Sequence, residues 1–130
     1  MRWGLIGASN IAATQMIDAI RASGGEIASV LSGDNRRGQE FAARHGIAAS
    51  TTDLERLLEG VDAVYISTTN EKHFPQAMAA VAAGRHVLCE KPLAMSVADA
   101  ATMVAAARAV ARALRPGGVL FVDGGDPLRG

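Results

Sequence analysis

The sequence of 130 residues predicts an α/β fold, a doubly wound parallel sheet with helices on both faces. Three observations point there. Short runs of Val, Ile and Leu alternate with helix-forming, alanine-rich segments along the chain. The apolar runs are continuous rather than alternating with polar residues, as strands buried on both faces require. Most runs are followed by turn chemistry built from Gly, Ser, Asn or Asp. The length suits one domain over residues 1–130, with an atypical segment from about 110 to 130.

The elements follow in order. Arg2–Ile6 is the first strand, and a helix with Asn10 as its cap runs from about Asn10 to Arg21, stopped by Gly24 and Gly25. Glu26–Leu31 is the second strand, followed by the turn Ser32-Gly33-Asp34-Asn35 and a helix from Arg36 to Arg44 that ends at His45-Gly46. Ile47–Ser50 reads as a short third strand, and Thr52-Asp53 caps a helix through Leu58. Val61–Ile66 is the clearest buried strand. A loop over Ser67–Lys72 leads to a helix from His73 to Ala83, with Pro75 in its first turn. His86–Cys89 is the fifth strand. Ser96 caps a long helix to about Leu114, and Val119–Val122 reads as a sixth strand.

Thirteen basic and thirteen acidic side chains balance, so there is no basic field of the kind that drives nucleic-acid binding. No apolar run reaches the length of a membrane span. The single cysteine, Cys89, fits a small core residue in a reducing compartment, and a cytoplasmic location is expected. His45 and His86 lack metal-ligand spacing, so no metal is expected. Apolar residues at the sheet edges and on the terminal helix offer a face for a homo-oligomer.

Right-handed crossovers place the C-terminal ends of all strands along one edge, where the loops after Ile6, Leu31, Ile66 and Cys89 meet. The first loop, Gly7-Ala8-Ser9-Asn10-Ile11-Ala12, approximates the dinucleotide turn G-x-G-x-x-G/A with Ser9 in place of the middle glycine. A helix N-terminus there suits a pyrophosphate; the same small residues also build an ordinary strand–turn–helix. After the second strand stands Ser32 rather than an acid, with Arg36 and Arg37 close behind. A hydroxyl with nearby guanidinium forks suits a ribose 2′-phosphate, hence NADP(H) over NAD(H). Asp34 is the counter-candidate, serving either a ribose or only an Asx turn. Ser67, Thr68, Thr69, Asn70 and His73 line either the nicotinamide half of a site or a plain turn. Glu90-Lys91-Pro92 puts a charged pair at a strand's C-terminal end, where Lys91 polarises a carbonyl or moves a proton, or is a surface pair.

Three stretches carry a resemblance: Trp3–Ala12, Ser67–His73 and His86–Ala94. They resemble the glucose–fructose oxidoreductase and inositol dehydrogenase family of NAD(P)-dependent sugar oxidoreductases, and within it the branch of NADPH-using 1,5-anhydro-D-fructose reductases. The resemblance implies a Rossmann-like NAD(P)-binding domain, with pyrophosphate contacts from Gly7, Ser9, Asn10 and Ile11. It implies 2′-phosphate contacts from Ser32 and Arg37 with Arg36 assisting, and cofactor-loop contacts from Thr68, Asn70 and His73. It places Glu90 and Lys91 beside the nicotinamide, with Lys91 the catalytic lysine acting on a sugar-like ketone. Members of the family continue into an α/β substrate domain, which is absent from these residues. A stand-alone dinucleotide-binding module without turnover is the alternative. The Pro116-Gly117-Gly118 tail is similar to a closing strand in methyltransferases or short-chain dehydrogenases, and the S-adenosylmethionine sites of the former favour an acid where Ser32 stands.

Overall fold

The computed structural model describes residues 1–92 and 94–113. Five parallel strands, β1 (Arg2–Ile6), β2 (Glu26–Leu31), β3 (Ala49–Thr51), β4 (Ala63–Ile66) and β5 (His86–Cys89), lie in the order β3-β2-β1-β4-β5. The order reverses at β1, so the chain leaves that strand toward one edge and returns past it to the other. This produces a crevice at the C-terminal end of β1 between the loops that follow β2 and β4. The expected strand Val119–Val122 lies outside the described residues.

Each face of the sheet carries its own apolar layer, because neighbouring side chains on a strand point to opposite faces. Leu5, Val30 and Tyr65 pack with Ile17 and Ile20 of α1 (Ile17–Ala22) and with Phe41 and Ala42 of α2 (Asn35–His45). Ile6, Leu31, Val64, Ile66, Val87 and Cys89 pack beneath α3 (Leu54–Glu59), α4 (Asn70–Ala82) and α5 (Val97–Ala113). Gly4 marks the tightest approach. A Cβ there would lie 2.7 Å from Leu57 Cδ2 and 3.2 Å from Val61 Cγ1. The β1–β2 register shifts at this glycine, between Trp3 and Gly4.

Local chemistry moves several boundaries from those read in the sequence. The first helix opens with a wide π-type turn, Ala12–Met16, before α1. Its cap is Ser9 rather than Asn10, since Ser9 Oγ accepts from Ala12 N at 3.1 Å. Ile47 is not in a strand. Gly46 ends α2 at φ +66°, and both Gly46 N–H and Ile47 N–H donate to Ala42 O, so Ile47 is drawn into the core as the apolar contact of a helix stop. Val61 is likewise a core residue ahead of β4. The α4 helix begins at Asn70, one turn before the expected His73, after Thr69 in an extended conformation. Pro75 therefore lies inside the helix, on an exposed position where water can reach the Glu71 carbonyl it leaves unbonded. Asp53 and Ser96 cap α3 and α5 as expected: Asp53 Oδ1 accepts from Glu55 N and Arg56 N, and Ser96 Oγ from Asp99 N.

Substituting Gly4→Ala should cost roughly 1–3 kcal/mol, because the added methyl overpacks Leu57 and Val61 in a filled layer. Urea unfolding followed by circular dichroism measures it; an unchanged midpoint would show that the layer has slack.

Candidate functional site

The turn after β1 builds the centre of the site. Gly7 has φ +116°, a conformation that side-chain-bearing residues rarely adopt, and its N–H donates to Leu31 O at 3.0 Å. A Cβ there would stand 3.2 Å from Ser67 Oγ, Thr68 Cγ2 and Thr68 N, so the absence of a side chain lets the loops after β1 and β4 close together. Ser9 Oγ then meets Ser67 Oγ at 2.7 Å and joins the two loops directly.

Between these loops and the one after β2 lies a cleft of about 590 Å³. Gly7, Ser9, Asn10, Ser32, Arg37 and Thr68 from the sequence reading all line it. Thr52, Leu54, Lys72 and Gln76 line it too, and the sequence reading missed them. Its two charged lining residues are both cations, Arg37 and Lys72, entering from α2 and α4. No carboxylate lines this cleft among the described residues, and such a surface favours a polyanion.

The end of β2 is organised by hydrogen bonds. Ser32 is 8% exposed, and its Oγ accepts from Asp34 N at 3.2 Å. Asp34 caps α2 through Oδ1, which accepts from Arg37 N at 3.1 Å. Arg37 Nη2 donates to Ala8 O at 3.2 Å, so the guanidinium reaches from α2 to the first loop. Arg36 departs from its expected place. It pairs with Glu40 at 3.2 Å, one helical turn on, and its side chain is 89% exposed, because successive helix residues point in different directions.

Across the cleft, Thr68 Oγ1 donates to Gln76 Oε1 at 2.5 Å. Asn70 is exposed at the start of α4, and Ile11, in the first helical turn, is not among the lining residues. His73 is buried, and both its ring nitrogens are engaged by backbone carbonyls, Pro92 O and Thr68 O. Both nitrogens meet main-chain oxygens, and His73 is not among the residues that line the cleft. Glu90 and Lys91 follow β5, Glu90 half-buried and Lys91 exposed, ahead of a cis Lys91–Pro92 bond. Glu90 N–H continues the β4–β5 ladder to Ile66 O at 2.9 Å, which fixes the pair at the same sheet edge as the cleft.

Among the described residues no group of three or more His, Cys, Asp or Glu side chains could hold a metal ion, and no helix is long and apolar enough to cross a membrane. Beneath Glu90, burial first and then the Glu90 charge push the Tyr65 hydroxyl above its ordinary value. The folded state therefore favours the protonated phenol. Its stability is full below the unfolded phenol's pKa of about 10 and falls as pH rises past it. Tyr65→Phe should flatten that alkaline decline in urea midpoints taken between about pH 9 and about pH 11; an equally steep decline would mean that Tyr65 ionises freely.

Comparison with known proteins fits this geometry. A family described as an oxidoreductase family with an NAD-binding Rossmann fold matches residues 1–117. The 1,5-anhydro-D-fructose reductase of Ensifer adhaerens is 57% identical over 109 residues, which are 82% of this chain and 33% of that protein. The chain thus spans about a third of the length of the curated relatives it matches. A 3-ketoreductase of Actinomadura kijaniata, KijD10, solved with NADP and TDP-benzene, superposes with a TM-score of 0.83 at 30% identity, covering 95% of this chain and 37% of that one. The WlbA dehydrogenase of Bordetella pertussis, solved with NADH and UDP-GlcNAcA, gives 0.77 at 29% identity, covering 93% and 36%. A reversing parallel sheet, a side-chain-free turn at its crevice and this match over most of the chain lead to one assignment: the chain belongs to the GFO/IDH/MocA oxidoreductase family, as its NAD(P)-binding Rossmann domain.

Proposed function

We propose that the chain binds NADP(H) as the cofactor-binding part of a reductase acting on a sugar-derived ketone, in the manner of a 1,5-anhydrofructose reductase. The arrangement after β2 is the observation that carries the cofactor reading. Asp34, the one acid placed to serve a ribose diol, has its Oδ1 on the α2 N-terminus, while Ser32 and Arg37 line the cleft. A guanidinium and a hydroxyl suit a 2′-phosphate, which forms charge-assisted hydrogen bonds with both. The fit is supported by the space that a Gly7 side chain would fill and by a lining whose charged members are Arg37 and Lys72. The 57% identical relative, named a 1,5-anhydro-D-fructose reductase, supports the substrate class.

In this reading the nicotinamide cofactor supplies the hydride, and the protein residues hold and orient. Gly7, Ser9 and Asn10 cradle the pyrophosphate at the first helix's N-terminus. Ser32 and Arg37 hold the adenosine 2′-phosphate. Lys91, exposed at the C-terminal edge beside Glu90, gives a proton to the carbonyl oxygen as it gains charge. The rest of the substrate pocket is then contributed by residues beyond those of this chain, because the match covers only 33% of the reductase.

Fluorescence titration of the purified chain with NADPH and NADH tests the cofactor. NADPH should bind more tightly, and Arg37→Ala should weaken NADPH by roughly tenfold or more while leaving NADH nearly unchanged, the loss of a charged hydrogen bond to phosphate. Equal affinities for the two cofactors would move the ribose contact back to Asp34 and sink the NADP assignment. In any preparation that reduces 1,5-anhydrofructose, Lys91→Met should lower turnover by roughly 100-fold or more and spare NADPH affinity. An unchanged rate would remove the lysine from the chemistry.

A further inference from the structure

His73 is 1% exposed, yet both its ring nitrogens meet backbone carbonyl oxygens. Nδ1 lies 2.6 Å from Pro92 O and Nε2 lies 2.9 Å from Thr68 O. A carbonyl oxygen only accepts, so each contact is a hydrogen bond only if its nitrogen donates. A neutral imidazole has one N–H. Its other nitrogen would turn a lone pair toward an oxygen less than 3 Å away. Turning the ring over would put carbons in the nitrogen positions, and C–H···O contacts settle at about 3.3–3.6 Å. Only the doubly protonated ring satisfies both distances.

We propose that His73 is a positioning residue that works as an imidazolium, fastening the loop after β4 to the loop after β5 and so fixing where Lys91 stands at the site. The positioning role rests on the cofactor reading above; the protonated bridge does not. The charged and titratable groups nearby come from three elements. On α4 itself stand Glu71 and Lys72, and the loop after β5 brings Glu90 and Lys91, with Tyr65 of β4 beneath Glu90. The Glu71 carboxyl is held below its ordinary range first by the Thr69 hydroxyl, then by its own backbone N–H, with the Lys72 and His73 charges adding to both. Burying a cation is costly unless it is hydrogen-bonded, and the α4 dipole opposes a positive charge in its first turns. The two carbonyls supply both hydrogen bonds, and Glu71 supplies the opposing charge.

The bridge joins residues that sequence separates widely. Thr68 belongs to a loop that lines the cleft, and Pro92 follows Lys91 directly. On the β5 side the lysine's backbone is held by the ladder bond from Glu90 N–H to Ile66 O; the bridge holds it from the other side.

Nitrogen-15 NMR of the histidine-labelled chain near neutral pH tests the bridge before any nucleotide is added. His73→Gln assigns its signals among the three histidines. Both His73 ring nitrogens should appear as protonated N–H; one protonated and one bare nitrogen would overturn the imidazolium. The positioning role is then read by titrating wild type and His73→Gln with NADPH and with adenosine 2′,5′-bisphosphate, which carries only the adenosine half. NADPH affinity should fall by roughly tenfold while the bisphosphate stays within about twofold, one lost buried hydrogen bond at the nicotinamide end. An equal fall for both, or no fall for either, would overturn it. If neither nucleotide binds the unaltered chain, the cofactor reading fails and the positioning role falls with it, whereas the ring spectrum judges the bridge by itself.

Discussion

The absence of a side chain at Gly7 is the constraint on which the site depends. Three loops converge on the C-terminal end of β1, and the loop after β4 comes so close that a single methyl would stand 3.2 Å from its backbone nitrogen. A backbone at φ +116° also turns the chain sharply enough for the first helix to start over the sheet edge. Gly7 N–H keeps its bond to Leu31 O, so the turn is fastened to β2 while it bends toward β4. The loops after β1, β2 and β4 thus meet at this one residue.

Two kinds of contact hold the surrounding loops. Short polar side chains tie neighbouring loops, as in the Ser9–Ser67 hydroxyl pair and the Thr68–Gln76 hydrogen bond. A longer cationic group takes a backbone carbonyl from another element, as Arg37 takes Ala8 O. Carbonyls at the ends of strands and helices have no ladder partner, and a buried one left unbonded costs about 1–3 kcal/mol. Side chains that reach them stabilise the loop and shape the ligand-facing surface at once.

The sequence made most of the sheet legible, because strands buried on both faces write continuous apolar runs. Arg2–Ile6, Glu26–Leu31 and His86–Cys89 are bounded in the structure as the sequence suggests. Ile47 misled because an apolar residue after a helix serves a helix stop as readily as a strand. The start of α4 was hidden because Thr69 supplies it through backbone conformation, with no side-chain cap to read. Within the site, Gly7, Ser9, Asn10, Ser32, Arg37 and Thr68 were legible from motif position. Arg36 was not, since a one-residue step on a helix turns a side chain away by more than a quarter turn. The partners of His73 were not legible either: they are main-chain oxygens 5 and 19 residues away, and no residue type in the sequence encodes them.

The contact between Arg37 and Ala8 O bears on how an anion would meet this wall of the cleft. A free arginine on a surface helix must give up the motion of a long side chain before it can grip a ligand, at a cost approaching 2 kcal/mol. Here one of its five N–H donors is already fixed on the opposite wall, so much of that loss falls on folding instead of on binding. An anion bound at this wall would then require little reordering of the protein.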